Sequence, residues 1–264
     1  MISSASARIR CFARAFNNLK HIAVNMKILY LSPGLRELGS VQKRIDRWSW
    51  IPGLLGEDIT LVGRGLRRGS ENSEGDFDDY AGGSEVVKTI MEAAGEGFHA
   101  VVIGDTGDPF VPGIREYLDV PVIGPMESSL QVASMLGHKF SIITPAKYMK
   151  PRKERQVYFY GYADRLASVR SIDVPVSEVS KHSEKVIDLV VEEANMAVEE
   201  DGAQVVIQMC GAMVEYYEKI AKRVEAPLVE PIRVALKTAE SLVRLGLSHS
   251  KLMYPKPRPK KRVL

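Results

Sequence analysis

Short runs of aliphatic and β-branched residues alternate along this chain with longer stretches in which apolar positions recur every three or four residues. The short runs fall at 27–31, 58–62, 100–103, 120–123, 140–143, 167–172, 204–208 and 228–229. Most are continuously apolar rather than alternating, as strands are when helices cover both faces of a parallel sheet. The stretch 183–200 shows the other pattern, with Val186, Ile187, Val190, Val191, Ala194, Ala197 and Val198 on one helical face. The pattern predicts an α/β protein built on parallel sheets. It breaks between Gly63 and Gly83, where a polar, glycine-rich stretch predicts a long loop before a helix starting near Ser84. Gly63, Gly65 and Gly69 have G-x-G-x-x-x-G spacing and an acidic stretch after them, which argues against a dinucleotide loop opening a helix.

Three segments then recur in the same order. KILYLSPG (27–34) matches KFSIITPA (139–146), AVVIGDTG (100–107) matches QVVIQMCG (204–211), and PVIGP (121–125) matches PLVEP (227–231), at offsets of 112, 104 and 106 residues. Ordered matches at nearly constant offset predict two similar lobes, each a parallel sheet flanked by helices, related by a pseudo-twofold axis with the active site between them. The expected division is 26–124 for the first lobe, 125–227 for the second, 228–250 for a helix returning to the first, and 251–264 for a tail. Ligands in such sheets bind beyond the carboxyl ends of the strands. That places Ser32, the Asp105–Thr106 turn, Thr144 and Cys210 around one cleft.

Charge narrows the function classes. The overall net charge is +3, but residues 1–25 and 251–264 carry ten basic side chains and no acid, so the body between them is at −7. An acidic body argues against a nucleic-acid face. No run of 18 apolar residues suggests a membrane span. Two cysteines, Cys11 and Cys210, and five scattered histidines offer neither a disulfide framework nor a metal-ligand spacing, so no metal is expected. Residues 1–25 read either as an organelle-targeting peptide or as sequence upstream of a start at Met26, the latter with a cytoplasmic protein.

Cys210 ends a predicted strand and precedes Gly211, Ala212 and a predicted helix over 213–222. A thiol there would meet free amides and the positive end of the helix dipole, and its pKa is expected to fall. The alternative is a small buried hydrophobe. Asp105 follows an apolar strand, where a carboxylate is costly unless it caps a turn or does chemistry. Whether Asp105 or Thr106 faces Cys210 depends on a one-residue register choice. Glu127, Ser128, Glu230 and Arg233, after the third repeat strands, read equally as helix-start caps or as groups orienting a substrate.

At this point the residues resemble a known family. The segments 27–34, 101–110, 121–128, 140–145, 201–213 and 227–247 together are similar to the Asp/Glu/hydantoin racemase superfamily, and to its hydantoin and allantoin racemases in particular. VVIGDTGDPF looks like that branch's nucleophile strand and G-D-P turn, and IQMCGAM like its second-cysteine motif. The resemblance implies cofactor-free proton transfer at a stereocentre flanked by two cysteines, acting on a small molecule, with self-association left open. Cys210 matches the second cysteine. Asp105 stands where the first would be, and Ser32-Pro33-Gly34 replaces an Asn-Pro-Asn-like segment. Thr106, Gly107, Thr144, Gly211 and Ala212 are then the expected substrate-binding positions, with donors for a developing enolate. A carboxylate and a thiol are mismatched bases. Three outcomes follow: an unequal racemase or epimerase, a decarboxylase of the arylmalonate type using Cys210 alone, or a binding protein without turnover.

Overall fold

The computed structural model describes residues 25–35, 40–50, 54–179 and 183–263; Cys11 and the rest of the 1–24 extension lie outside the described residues. Its first half runs Met26–Leu35 (β1), Ser40–Asp46 (α1), Ile59–Leu66 (β2), Asp76–Ala93 (α2), Ala100–Ile103 (β3), Val111–Tyr117 (α3) and Val122–Ile123 (β4). The second runs Pro125–Leu136 (α4), Phe140–Thr144 (β5), Lys150–Phe159 (α5), Leu166–Ser171 (β6), Val176–Val179 (α6), Ser183–Glu199 (α7), Val205–Gln208 (β7), Tyr217–Ala221 (α8), Leu228–Val229 (β8) and Pro231–Arg244 (α9). Every strand pairing is parallel. The strand orders, β2-β1-β3-β4 and β6-β5-β7-β8, are the same order twice. The chain is therefore α/β with two equivalent sheets, as the internal repeat requires.

Each strand feeds two cores. Ile28, Tyr30, Ala100 and Val102 pack with α1 and α9, whereas Leu29, Leu31, Val101 and Ile103 pack with α2 and α3. In the second sheet, Ile143 and Val206 pack with α7, and Phe140, Ile142, Val205 and Ile207 with α4 and α5. Alternate side chains point to opposite faces, and both faces are covered, so the strands must be apolar throughout. The two closing helices are exchanged. Met126, Leu130 and Ala133 of α4, which follows the first sheet, lie in a core of the second. Ile232, Ala235, Leu236 and Ala239 of α9, which follows the second, lie in a core of the first.

The polar stretch at 63–83 is not one long loop. β2 runs on through Gly63 and Gly65 to Leu66, and α2 begins at Asp76, eight residues before the expected Ser84. The Asp78 carboxylate accepts from the Gly75 amide at 3.1 Å, so the aspartates that read as loop satisfy the free amides of a helix start. The predicted 213–222 helix is also revised. Gly211–Tyr216 is a 3₁₀ segment, and only Tyr217–Ala221 is α-helical.

The repeated Pro at 125 and 231 opens α4 and α9, where its missing amide costs nothing. Glu230 caps α9, accepting from the Ile232 and Arg233 amides at 3.2 and 2.7 Å. At the equivalent Gly124 there is no side chain, and Asp108 serves instead, accepting from the Met126 and Glu127 amides, each at 2.8 Å. A Cβ on Gly124 would overlap that carboxylate. Glu127 pairs with Arg115, and the Ser128 hydroxyl donates to the Gly124 carbonyl at 2.8 Å, so these residues serve the helix start.

Both capping carboxyls are fully buried, and burial pushes Asp108 up to about 6 and Glu230 up to about 7. Their ordinary values are 3.8 and 4.5. Between ordinary and raised values the folded chain holds protons that the unfolded chain has released, so this contribution to stability falls as pH rises. Urea unfolding is expected to give a wild-type stability at pH 5.5 relative to pH 7.5 that drops by about 1–2 kcal/mol in Glu230→Gln, which cannot titrate. An unchanged pH dependence in that variant would contradict the assignment.

The first residues of the basic tail are docked. Lys251 Nζ donates to the Arg115 carbonyl at 2.6 Å, and Lys256 to the Tyr117 carbonyl at 2.7 Å, placing cations at the carboxyl end of α3.

Candidate active site

Where the two sheets' carboxyl ends meet lies a cavity of about 420 Å³. β1 loses its regular pairing with β2 between Leu31 and Leu35, which brings Ser32, Pro33 and Gly34 to the wall. The turn after β3 contributes Gly104, Asp105 and Thr106; the segment after β7 contributes Met209, Cys210, Gly211 and Ala212. Arg44, Arg47 and Trp48 from α1 and the turn after it, with Glu71, Asn72 and Ser73 from the connection between β2 and α2, complete the first half's share. Of the expected site residues, Ser32, Asp105, Thr106, Cys210, Gly211 and Ala212 line this cavity. Thr144 and Gly107 do not. Thr144 ends a buried strand and turns its hydroxyl to the Met149 sulfur at 3.8 Å. Gly107 lies behind the turn, where its amide donates to Asp105 Oδ1 at 2.6 Å. A Cβ on Gly107 would collide with that oxygen and with the Arg152 guanidinium, so the close approach requires glycine.

Asp105 and Thr106 take different surroundings. Asp105 is half-buried on the wall, and its charge bears on Cys210. Thr106 is buried, and its hydroxyl accepts from Lys153 Nζ at 3.3 Å.

Cys210 is 6% exposed, with Ile143, Ile172, Val179 and Met213 in its core cluster and the cavity on its open side. Burial pushes the thiol up to about 11; the Ala212 amide and the Lys153 charge oppose this, and Asp105 and Glu230 reinforce it. The expected lowered pKa is thus reversed. The 3₁₀ segment after Cys210 supplies only one amide to the sulfur, too little to offset the loss of water. At neutral pH Cys210 is a thiol.

Behind the Asp105 turn lie two cations that the sequence did not reveal. Arg152 and Lys153 are adjacent on α5 and both buried. Arg152 pairs with Asp79, and its Nε lies 3.4 Å from Asp76. Lys153 Nζ donates to the Thr106 carbonyl at 2.7 Å. Burial lowers Lys153 to about 8, with Asp105, Asp108 and Cys210 each raising it. Burial raises Asp79 to about 6. In sequence, KPRKERQ reads as a solvated helix; the buried Val157 at i+4 from Lys153 is the one sign that these cations share an inward face. Among the described residues, no group of three or more His, Cys, Asp or Glu side chains could hold a metal ion, and no helix is long and apolar enough to cross a membrane.

Known proteins share this arrangement of sheets. The hydantoin racemase of Pseudomonas sp. (strain NS671) is 32% identical over 195 residues, covering 74% of this chain and 78% of that protein. The crystal structure of allantoin racemase from Pseudomonas fluorescens superimposes with a TM-score of 0.82 at 32% identity, covering 90% of this chain and all of that one. Allantoin racemase from Klebsiella pneumoniae gives a TM-score of 0.82 at 26% identity, covering 90% and 96%. The model of the Asp/Glu/hydantoin racemase family matches residues 50–239, from the end of the turn that follows α1 through the Asp105 and Cys210 segments into α9, and on these grounds the chain belongs to that family of isomerases.

Proposed function

We propose that this protein is a cofactor-independent racemase or epimerase of a small amino-acid derivative, a five-substituted hydantoin or an amino acid, working by proton removal and return at the α-carbon. The observation that carries the reading is one cavity with a carboxylate from the first half, Asp105, and a thiol from the second, Cys210, on its lining. The names of the relatives support the hydantoin class.

In one direction Asp105 takes the α-proton, and Cys210, already protonated, supplies one to the opposite face. In the other, a Cys210 thiolate takes the proton and Asp105 returns one; the buried Lys153 ammonium favours that thiolate. The Gly211 amide is suited to the developing enolate oxygen, whereas the Ala212 amide serves the Cys210 sulfur. Unequal bases give unequal turnover. For enantiomers the equilibrium constant is one, so a difference in kcat between the two directions must be matched in KM.

Deuterium wash-in from heavy water tests this with a panel of hydantoins and amino acids. We expect label at the stereocentre of both enantiomers, about a 100-fold loss with Asp105→Asn, and retained or increased exchange with Asp105→Cys. Release of carbon dioxide from a substituted malonate without racemisation would instead mark a decarboxylase using Cys210 alone. Unchanged exchange in Asp105→Asn would reject Asp105 as the second base, and tight binding without exchange would mark a binding protein.

A further inference from the structure

Among the described residues, Arg44 is a cation without an anion. It lines the cavity, yet among the described residues it forms no ion pair, and its hydrogen bond is a long one, from Nη2 to the Tyr30 hydroxyl at 3.4 Å. Its Nε is buried and has no partner. The neighbouring Arg47 differs, since its Nε pairs with Glu215 at 3.1 Å from across the cleft. Two aromatic rings hold Arg44 in place: its guanidinium lies 5.8 Å from the centre of Tyr30 and 5.9 Å from that of Trp48, and those rings meet edge to face. Tyr30 in turn donates to the Gly104 carbonyl at 3.3 Å, one residue before Asp105. The guanidinium is therefore tied through one phenol to the turn that carries the base.

A guanidinium presents five donors in a planar fork that matches a carboxylate, and leaving such donors buried and unpaired is unfavourable. Rings that fix its position reduce the freedom a ligand would have to remove. Of the carboxylates that line the cavity, Asp105 accepts from the Gly107 amide and Glu215 pairs with Arg47. We infer that Arg44 is the receptor for a substrate carboxylate, and that the natural substrate is an open-chain acid, a free or N-acylated α-amino acid, rather than a neutral ring. This rests on the racemase reading for its chemistry but not for its binding. A carboxylate on Arg44 would be neutralised by the guanidinium and would place the α-carbon's proton toward the turn that the Tyr30 link holds nearby.

Calorimetry and deuterium wash-in on the full chain separate the outcomes. The probes are free amino acids, their N-carbamoyl derivatives and matched five-substituted hydantoins. We expect the acids to bind and exchange, with Arg44→Gln raising Kd and KM for them about 50-fold while kcat changes little, and Arg44→Lys restoring part of the loss. Acids that bind through Arg44 but never exchange would uphold the receptor and overturn the racemase reading. Exchange confined to hydantoins, with acids neither binding nor competing, would overturn the receptor and leave the racemase reading standing. Acid binding undisturbed by Arg44→Gln, or no binding of any acid by the wild-type chain, would also overturn it.

Discussion

Cys210→Ala is expected to lower kcat/KM by about 1,000-fold or more in both directions while the protein still folds. On the second half's wall Cys210 offers a thiol to the cavity that holds Asp105, whereas the Glu215 carboxylate there is paired with Arg47. On the proposed mechanism, removing it takes away the acid in one direction and the base in the other. The cost to folding is small. Cys210 packs among Ile143, Ile172 and Met213 at the edge of a core, and deleting one sulfur there costs about 1 kcal/mol, because the cavity already opens on that side. Deuterium wash-in, thermal melting and far-ultraviolet circular dichroism on the same preparation separate the two effects. An active alanine variant would remove Cys210 from the chemistry. An unfolded one would make it a core residue, and Cys210→Ser, which keeps the shape but replaces the thiol with a hydroxyl that does not ionise near neutral pH, would then be compared at matched stability.

The second large effect is expected at Lys153, which does not line the cavity and would act through its neighbours. Its ammonium is buried, bonded to the Thr106 carbonyl, and favours ionisation of Cys210. Lys153→Met keeps much of the apolar stem and removes the charge. The thiol should then rise further, and the direction that begins with a thiolate should slow by about 10- to 100-fold. The pH profile is the readout that a purely structural role would leave alone. In the wild-type enzyme the support from the ammonium is present below about 8 and is lost as pH rises through that value. In the variant that loss is absent, and activity in this direction climbs steadily toward the thiol's own ionisation. A variant that is merely less stable, with an unshifted profile, would reduce Lys153 to a brace for the Thr106 turn.

Much of the architecture could be read before the coordinates because parallel strands buried on both faces leave a plain record. AVVI at 100–103 and VVIQ at 205–208 have few polar positions to confuse the pattern, and the repeat fixed which strands correspond. The wall positions of Asp105 and Cys210 were legible for the same reason, since both follow such strands. Their electrostatics were not. The pKa of Cys210 depends on burial by residues distant in sequence and on a 3₁₀ turn where a longer helix was expected. Lys153, Arg152 and Arg44 were invisible for a related reason. A cation in a polar segment looks solvated, and only the fold reveals that Asp79, Asp105 and Asp108 lie opposite the first two and aromatic rings beside the third. The start of α2 was misplaced because aspartates and glycines signal both loops and helix starts, and only the Asp78 cap decides between them.

The exchange of closing helices bears on how a substrate gets in. Since α4 grows from one sheet and roots in the other, and α9 does the reverse, the two halves are bolted together like clasped hands. Parting them would tear both cores, at a cost far beyond thermal reach. Access to the cavity is therefore expected at its rim, where residues 71–73, Pro145 and Met149 line it, and not by separation of the halves.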